Sequence, residues 1–235
     1  MADTDIMDAL PEGYQLHWYR IERVLGRGGF GITYLAKDTN LDHFVAIKEY
    51  LPSVCASRLP GDSSVKPLSS GQSQTYEWGL KAFITEAQTL AKFKHPNIVR
   101  VLSVFEQLGT AYMVMEYEPG VELADLIKQG KSFSEPELMT LTLTLLNGLG
   151  AVHAAGFIHR DIKPQNIVMR PDGSPVLLDF GSARKALEGK KRQLTSMVSS
   201  GYAPIEQYNQ GDATQGPWTD LYGMAATLYS VMTGA

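Results

Sequence analysis

The chain has 235 residues, of which 44% are hydrophobic and 20% are charged, so it has enough apolar material for a core and is not disordered by composition. Its formal net charge of -4 gives no overall basic field, which argues against nucleic acid or an anionic membrane as the principal partner and leaves a protein substrate open. The single cysteine, Cys55, cannot form an internal disulfide, and no secretory signal or run of 18 apolar residues is present. We therefore predict a cytoplasmic chain without a membrane span, although a parent protein could be anchored beyond residue 235.

After a mixed leader at 1–18, the first predicted element is a pair of strands joined by glycines. Residues 19–25 have strand character, the loop at 26–31 is Gly-Arg-Gly-Gly-Phe-Gly, and residues 32–36 return to β-branched and aromatic side chains. A dinucleotide-binding fold would need a helix after its glycines, so a hairpin is favoured. Glycines let backbone amides approach phosphate oxygens, although an ordinary glycine-rich hairpin would show the same pattern.

Two charged residues lie next to apolar patterns in the first half. The apolar strand at 45–48 ends in Lys48, and Glu86 lies beside the apolar stripe of a helix predicted over 78–93. A partly buried carboxylate is costly unless a cation is nearby. Taken alone, Lys48 would most often be a solvated strand end, and the alternative for Glu86 is a surface position at the edge of the helix.

The remaining elements of the first half are a long connection and two strands. The connection at 50–76 is rich in Ser, Gly and Pro, and one of this length is usually functional or disordered. It leads directly into the helix that carries Glu86, so it could bias the position of that helix. Strands predicted at 98–105 and 111–117 complete a five-stranded antiparallel sheet.

The second half opens with a strong helix signal. Ser134 is a candidate cap, Pro136 lies in the first turn and Glu137 follows three residues after the cap. Leucines recur on one face until Gly156 ends the helix, and this stripe is typical of a core.

The most informative stretch is His-Arg-Asp-Ile-Lys-Pro-Gln-Asn at 159–166. Its polar side chains can converge on one small site only if the backbone turns sharply, and Pro164 favours such a turn. Asp161 could accept a proton from a substrate hydroxyl, and Lys163 could neutralise a transferring phosphate. The stretch therefore indicates phosphoryl transfer.

A predicted hairpin links this stretch to a second carboxylate. The apolar runs at 167–169 and 176–178 would hold Asn166 at one end and Asp179 at the other, where both could offer oxygen ligands to Mg²⁺. His159 is better interpreted as a packed, hydrogen-bonded side chain than as a catalytic one.

Together these motifs resemble those of a protein kinase catalytic domain of the serine/threonine type found widely in bacteria. In the family's order they are the glycine loop at 26–31, Val-Ala-Ile-Lys at 45–48, His-Arg-Asp at 159–161 and Asp-Phe-Gly at 179–181. The likeness runs from Tyr19 to the end of the chain.

The resemblance implies an α+β, two-lobed kinase fold. Its first lobe, residues 19–117, would contain the five-stranded antiparallel sheet and one helix. Its mainly helical second lobe, residues 118–235, would stop after the central helix at 218–232, whereas kinases of this type continue through several more helices.

The resemblance also implies ATP and Mg²⁺ as cofactors and assigns residue roles. Lys48 would bind phosphate and pair with Glu86, Asp161 would be the general base assisted by Lys163, and the metal ligands would be Asn166 and Asp179. The other residues implied to contact ATP are Leu25, Gly26, Arg27, Gly28, Gly29, Phe30, Gly31, Thr33, Ala46, Met115, Glu116, Tyr117, Glu122 and Val168. Within this set, the backbone after Met115 would bind the adenine, Ala46 and Val168 would enclose it, and Glu122 would reach the ribose.

The segment at 182–200 resembles an activation segment and is rich in Lys and Arg, although a solvated basic loop would look the same. By resemblance, Thr195 is an autophosphorylation site with Arg160 as its phosphate partner, and Ser199 takes the place of a substrate-site threonine. Ile205 and Val198 depart from the family's usual residues. We predict a serine/threonine protein kinase acting on protein substrates. The alternatives are a non-catalytic nucleotide-binding or scaffolding module and a kinase for small molecules.

Overall fold

The computed structural model describes residues 8–59, 61–180, 199–208 and 215–234, and the chain divides into two compact units. The first unit comprises Met1–Lys92 and Val101–Tyr117, and the second comprises Phe93–Arg100 and Glu118–Ala235. Gly181, Thr195 and Val198, with the basic stretch around them, lie outside the described residues.

A six-stranded antiparallel sheet forms most of the first unit. Its strands are β1 (Gln15–Leu16), β2 (Tyr19–Gly28), β3 (Gly31–Asp38), β4 (His43–Tyr50), β7 (Val101–Gln107) and β8 (Thr110–Glu116). Their order is β1-β2-β3-β4-β8-β7, so the five predicted strands are present and the leader adds the two-residue β1 at one edge. The strand predicted to begin at Ile98 begins at Val101 instead. Ile98 forms an isolated bridge with Leu177 in the second unit.

Helix α1 (Ser70–Leu90) covers part of this unit and carries Glu86. Its buried residues are Tyr76, Gly79, Phe83, Glu86, Ala87 and Leu90. The helix begins eight residues before the predicted start at Trp78. Its first turns are mainly polar and so show no apolar period, which is the signal that the sequence prediction used.

The connection at 50–76 contains ordered structure. Strands β5 (Ala56–Arg58) and β6 (Val65–Pro67) form a hairpin, and Ser70 already begins α1. The hairpin is held to the turn before β8 because the Val65 N–H donates to the Leu108 carbonyl at 2.7 Å. Its polar composition resembles that of a loop, but Arg58 is only 6% exposed.

The second unit combines helices with a small sheet. Its elements are β9 (Val121–Glu122), α2 (Leu123–Lys128), α3 (Glu135–Ala154), β10 (Ile167–Met169), β11 (Pro175–Leu177), α4 (Ile205–Tyr208) and α5 (Pro217–Thr233). The predicted cap of α3 is confirmed: the Ser134 N–H and hydroxyl both donate to Glu137 Oε2 at 2.7 Å. The leucine stripe is buried at Leu141, Leu145 and Leu149.

Residues 93–100 belong to the second unit because their backbone and side chains bond to β11. The Val99 N–H donates to the Leu177 carbonyl at 3.0 Å, and the Asn97 amide donates to the Pro175 carbonyl at 2.8 Å. Val101 follows and begins β7 in the first unit.

Helix α5 buries one face and exposes the other. Asp220, Met224 and Thr227 are almost fully buried. Its exposed large side chains are Trp218, Leu221, Tyr222, Tyr229 and Met232. Within the described ranges, no helix is both long and apolar enough to cross a bilayer.

Candidate active site

Asp220 of α5 fixes the backbone of the predicted catalytic loop. Its carboxylate accepts the N–H of His159 at 2.8 Å and that of Arg160 at 2.7 Å, and the ring of His153 donates to it at 2.7 Å. Arg160 has a φ of 69°, a left-handed conformation that is uncommon for a residue with a side chain. Two hydrogen bonds to one buried carboxylate therefore hold a backbone turn that Arg160 alone would not favour. Apart from the place of Asp220 in an apolar helix, no signal in the sequence pointed to this role.

His159 is packed, as the sequence analysis expected, and does not face the reacting groups. Its ring is fully buried, its Nε2 donates to the Leu178 carbonyl at 2.7 Å, and the Asp161 N–H points at its Nδ1 at 3.3 Å. The ring centroid lies 4.4 Å from that of Phe180. Burial lowers the pKa of His159 despite the neighbouring carboxylates, so the ring is neutral near pH 7 and supports both the loop and the segment that follows β11.

Asp161, Lys163 and Ser199 form the polar centre of the loop. The Lys163 ammonium lies 2.9 Å from Asp161 Oδ2 and 3.1 Å from the Ser199 hydroxyl oxygen. The same hydroxyl donates to Asp161 Oδ1 at 2.7 Å. A carboxylate and an ammonium group thus converge on one hydroxyl group, which is the arrangement needed to orient an alcohol and accept its proton.

Asn166 is held beside this centre by its amide nitrogen. That nitrogen donates to the Asp161 carbonyl at 2.7 Å and to Asp161 Oδ2 at 3.0 Å. These bonds leave the amide oxygen as the atom that a cation could use. The Asn166 side chain is buried, and the turn at Pro164–Asn166 sets its direction.

The predicted hairpin between Asn166 and Asp179 is confirmed. Ile167 pairs with Leu177, and the Leu178 N–H donates to the Asn166 carbonyl at 2.8 Å, so Asp179 follows directly from the residue opposite Asn166. In the described part of the chain, no cluster of three or more His, Cys, Asp or Glu side chains could enclose a metal. An amide and a carboxylate fit Mg²⁺, which usually keeps several waters and takes its other ligands from phosphate oxygens.

Glu122 and Val168 are paired residues of the three-stranded sheet β11-β10-β9. Burial raises the pKa of the Glu122 carboxyl, with Asp125 adding to the rise. The backbone approaches closely just before them: a Cβ on Gly120 would lie 2.3 Å from the Met169 carbonyl oxygen. A bidentate pair that was not predicted lies nearby: Arg170 donates two bonds of 2.7 Å to Glu118.

In the first unit, the register brings several predicted nucleotide contacts to one face of the sheet. Thr33 pairs with Lys48, and Ala46 pairs with Met115. Since side chains alternate along a strand, Ala46 and Lys48 share a face of β4, and their partners lie on that face too. Glu86 is buried, at 8% exposure, which excludes the surface interpretation. Its pairing with Lys48 remains a prediction. Glu116 ends β8, and Tyr117 follows it.

The glycine loop is a hairpin, as predicted, with Gly28 paired to Gly31. The glycines of this loop differ in the space that surrounds them. A Cβ on Gly31 would lie 1.8 Å from the Glu49 carbonyl oxygen, so this glycine is required by packing. At Gly26 and Gly28 a Cβ would meet nothing within 4 Å, which leaves open space where a phosphate could approach the backbone.

The other loop residues are positioned by their neighbours along the chain. Leu25 and Arg27 belong to β2, with a register irregularity between Val24 and Gly26. Gly29 and Phe30 form the tip, where the Phe30 carbonyl accepts the Leu51 N–H at 2.9 Å and the Gly29 carbonyl accepts the Ser53 N–H at 3.2 Å.

The comparisons with known proteins agree with this fold. The family model described as "Protein kinase domain" matches residues 19–235, so the chain belongs to the protein kinase family. The family's members use ATP and Mg²⁺ in general.

Several proteins similar to this chain are named as serine/threonine kinases. Serine/threonine-protein kinase PknE of Mycobacterium tuberculosis is 31% identical over 226 residues, which are 95% of this chain and 36% of that protein. Probable serine/threonine-protein kinase PknB of Lactococcus lactis is 32% identical over 218 residues, 92% of this chain and 31% of that protein. The chain thus spans about a third of these relatives. The names of these relatives assign them to the bacterial serine/threonine protein kinases.

Two solved structures share the fold of this chain. The apo form of PpkA-294 superposes with a TM-score of 0.85 at 38% identity, covering 97% of this chain and 80% of that one. The kinase domain of PknI from M. tuberculosis, at 22% identity and a TM-score of 0.70, shares the fold, with 97% of this chain and 77% of that one covered.

Proposed function

We propose that this chain transfers the γ-phosphoryl group of ATP to serine or threonine hydroxyls of protein substrates. The observation that carries the proposal is the convergence of Asp161 and Lys163 on the hydroxyl of Ser199, at 2.7 and 3.1 Å. Ser199 belongs to this chain, but its hydroxyl has the chemistry of an acceptor, and its two contacts are those an acceptor would need.

In this proposal the second unit carries the acceptor chemistry. Asp161 orients the acceptor hydroxyl and takes its proton, and Lys163 offsets negative charge on the transferring group. Asn166 and Asp179 would hold Mg²⁺, which supplies charge neutralisation for the phosphates when bound. Glu122 would bind the ribose hydroxyls, and Val168 would contact the adenine.

The first unit carries the remaining nucleotide contacts. The open side of the loop at 26–31 suits phosphate oxygens, and Lys48 would bind phosphate with Glu86 as its partner. The backbone of Glu116 and Tyr117 would bind the adenine. The face that Thr33, Ala46, Lys48 and Met115 share supports this assignment.

Regulation by autophosphorylation is also part of the proposal. Thr195 is the expected site, although it lies outside the described residues. Arg160, its expected partner, donates from Nε to the Gln215 side chain at 3.0 Å. Phosphopeptide mapping after incubation with ATP and Mg²⁺ tests the site.

The decisive experiment compares Asp161→Asn with Asp172→Asn, which changes an exposed carboxylate in the turn between β10 and β11. Each protein is incubated with labelled ATP, Mg²⁺ and a generic protein acceptor, and nucleotide binding is measured separately by calorimetry. Asp161→Asn should lower the transfer rate by about 10²- to 10⁴-fold with little change in nucleotide affinity. Asp172→Asn should retain both. Nucleotide binding by the parent without transfer would instead favour a non-catalytic module.

A further inference from the structure

The glycine loop is tied to the leader through Asp8. The Arg27 guanidinium, within the loop, pairs with the Asp8 carboxylate at 2.9 Å. The backbone carbonyl of Asp8 accepts a hydrogen bond from Arg58 of β5. Asp8 therefore connects the loop predicted to bind phosphate with the hairpin in the connection before α1.

Arg58 is itself rigidly held. It is 6% exposed and forms an ion pair with Glu49, which is fully buried, and its Nε donates to the Ser63 carbonyl at 2.8 Å. Burial lowers the pKa of Arg58, but the attraction and hydrogen bond of the Glu49 carboxylate, together with Tyr34 and Tyr112, outweigh it and the net shift is upward, so the guanidinium keeps its charge. The hydroxyls of Tyr34 and Tyr112 donate to the same carboxylate at 2.8 and 2.7 Å.

This buried pair lies directly behind the predicted phosphate-binding residues. Glu49 follows Lys48 on β4 and points to the opposite face of the sheet, and its carbonyl oxygen occupies the space that a side chain on Gly31 would need. A buried ion pair contributes little net stability compared with apolar residues. Here the contacts of Arg58 with Glu49, Ser63 and Asp8 hold its guanidinium in place. Asp8 thus bonds through its carbonyl to a rigid group and through its carboxylate to the loop.

We propose that Asp8 is a positioning residue for the nucleotide phosphates: by holding Arg27 it keeps the backbone at 26–31 in a conformation ready to bind, while Arg58 and Glu49 hold Asp8 in place. The proposal rests on the proposed function and adds the leader to the nucleotide site. Because a partly exposed ion pair adds little to global stability, we expect the Asp8–Arg27 pair to act on the ordering of the loop at 26–31 and not on the stability of the whole unit.

The main test is Asp8→Asn, which removes the charge and keeps the shape. The KM for ATP should rise about three- to tenfold with kcat within about twofold, because a loop that is not pre-ordered must be ordered on binding. In the nucleotide-free protein, the amides of residues 26–31 should exchange hydrogen faster by a similar factor. Asp8→Glu should restore most of both. The matched control is Glu22→Gln, which breaks the exposed Arg20–Glu22 pair on the same strand and should change neither.

A double-mutant cycle shows whether Asp8 acts through Arg27. Asp8→Asn combined with Arg27→Met should be no worse than the poorer single variant, since both remove the same contact. Additive effects would overturn the proposal. Arg58→Met should loosen the same amides, but it leaves Glu49 buried without its cation and can prevent folding, so the Asp8 variants carry the test.

The outcomes separate this proposal from the proposed function. Unchanged exchange at 26–31 in Asp8→Asn overturns the positioning role whatever the KM does, and a lower KM would show that Asp8 withholds Arg27 from the phosphates. If the parent transfers no phosphate but binds ATP, weaker binding and faster exchange in Asp8→Asn would still support the positioning role while the proposed function fails.

Discussion

Among the described residues, the most deeply buried carboxylates of the two units are Glu49 and Asp220, and they are stabilised in different ways. Glu49, fully buried in the first unit, is held by side chains: the guanidinium of Arg58 and the hydroxyls of Tyr34 and Tyr112. Asp220, 1% exposed in the second unit, accepts two backbone N–H groups of the catalytic loop and one bond from a histidine ring.

The difference determines what each carboxylate controls. Backbone donors are available at every residue except proline, so Asp220 fixes the path of the main chain at His159 and Arg160 directly. The donors to Glu49 come from positions far apart in sequence, so Glu49 fixes how separate strands and the hairpin pack. A substitution at Asp220 should therefore affect catalysis, whereas one beside Glu49 should affect stability first.

Asp220→Ala should have the largest effect. It leaves two backbone N–H groups and the His153 ring without their acceptor, and each buried unsatisfied donor costs about 1–3 kcal/mol, so the free energy of unfolding should fall by about 3–9 kcal/mol. Phosphoryl transfer should be lost even in the fraction that stays folded, because Arg160 can relax from its left-handed conformation. Urea unfolding and labelled-ATP assays measure the two effects.

The control for this variant is Asp125→Ala, which removes the exposed carboxylate that pairs with Lys128. It should leave both stability and transfer close to those of the parent. A destabilised Asp220→Ala protein that still transfers phosphate at the parental rate under folding conditions would contradict the catalytic half of the comparison.

Tyr112→Phe should give the next largest effect and the opposite pattern. It deletes one hydrogen bond to the charged Glu49 and keeps the ring, so the free energy of unfolding should fall by about 1.5–3 kcal/mol. Transfer at saturating ATP should stay within about twofold, since Tyr112 lies on the face of the sheet away from Lys48. Tyr229→Phe, at a position 64% exposed, is the control and should be neutral. A large loss of kcat in Tyr112→Phe would contradict the view that Glu49 controls stability while Asp220 controls catalysis.

The same comparison shows how much of this molecule could be predicted from its sequence. The catalytic loop was predictable because its polar residues are close in sequence and the hairpin at 167–177 brings Asp179 alongside Asn166. The capping signal at Ser134 and Glu137 is equally local. Where structure depends on local chemistry, a single sequence suffices.

The packing around Glu49 could not be predicted, because it depends on residues that are distant in sequence. Its partners are 9, 15 and 63 residues away, and an arginine in a stretch rich in Ser, Gly and Pro suggests solvent exposure. The start of α1 was missed because polar residues form its first turns. Asp8 and Arg27 are 19 residues apart and both charged, and only the fold brings them together.

The smallest predicted effect is a pH dependence from His159, and it tests the comparison through two buried side chains that can carry a positive charge, Arg58 and His159. For Arg58 the nearby carboxylate outweighs burial and the charge is kept, whereas for His159 burial outweighs Asp220 and the pKa is lowered. In the unfolded chain the pKa of histidine is about 6.5, so below that pH the unfolded chain binds a proton that the folded ring does not bind. The free energy of unfolding should therefore fall as the pH drops from 7 to 5. The slope contributed by His159 should be at most about 1.4 kcal/mol per pH unit.

His159→Phe should reduce this decline of stability between pH 7 and 5. Its free energy of unfolding at pH 7 should be lower, because the bond to the Leu178 carbonyl is lost, but its decline between pH 7 and 5 should be shallower than that of the parent. His43→Gln changes an exposed histidine of β4 and should keep the parental slope. Urea unfolding at half-unit pH intervals gives both slopes. If His159→Phe and the parent decline in parallel, the buried ring is charged when folded, and Asp220 would then stabilise a cation as Glu49 does.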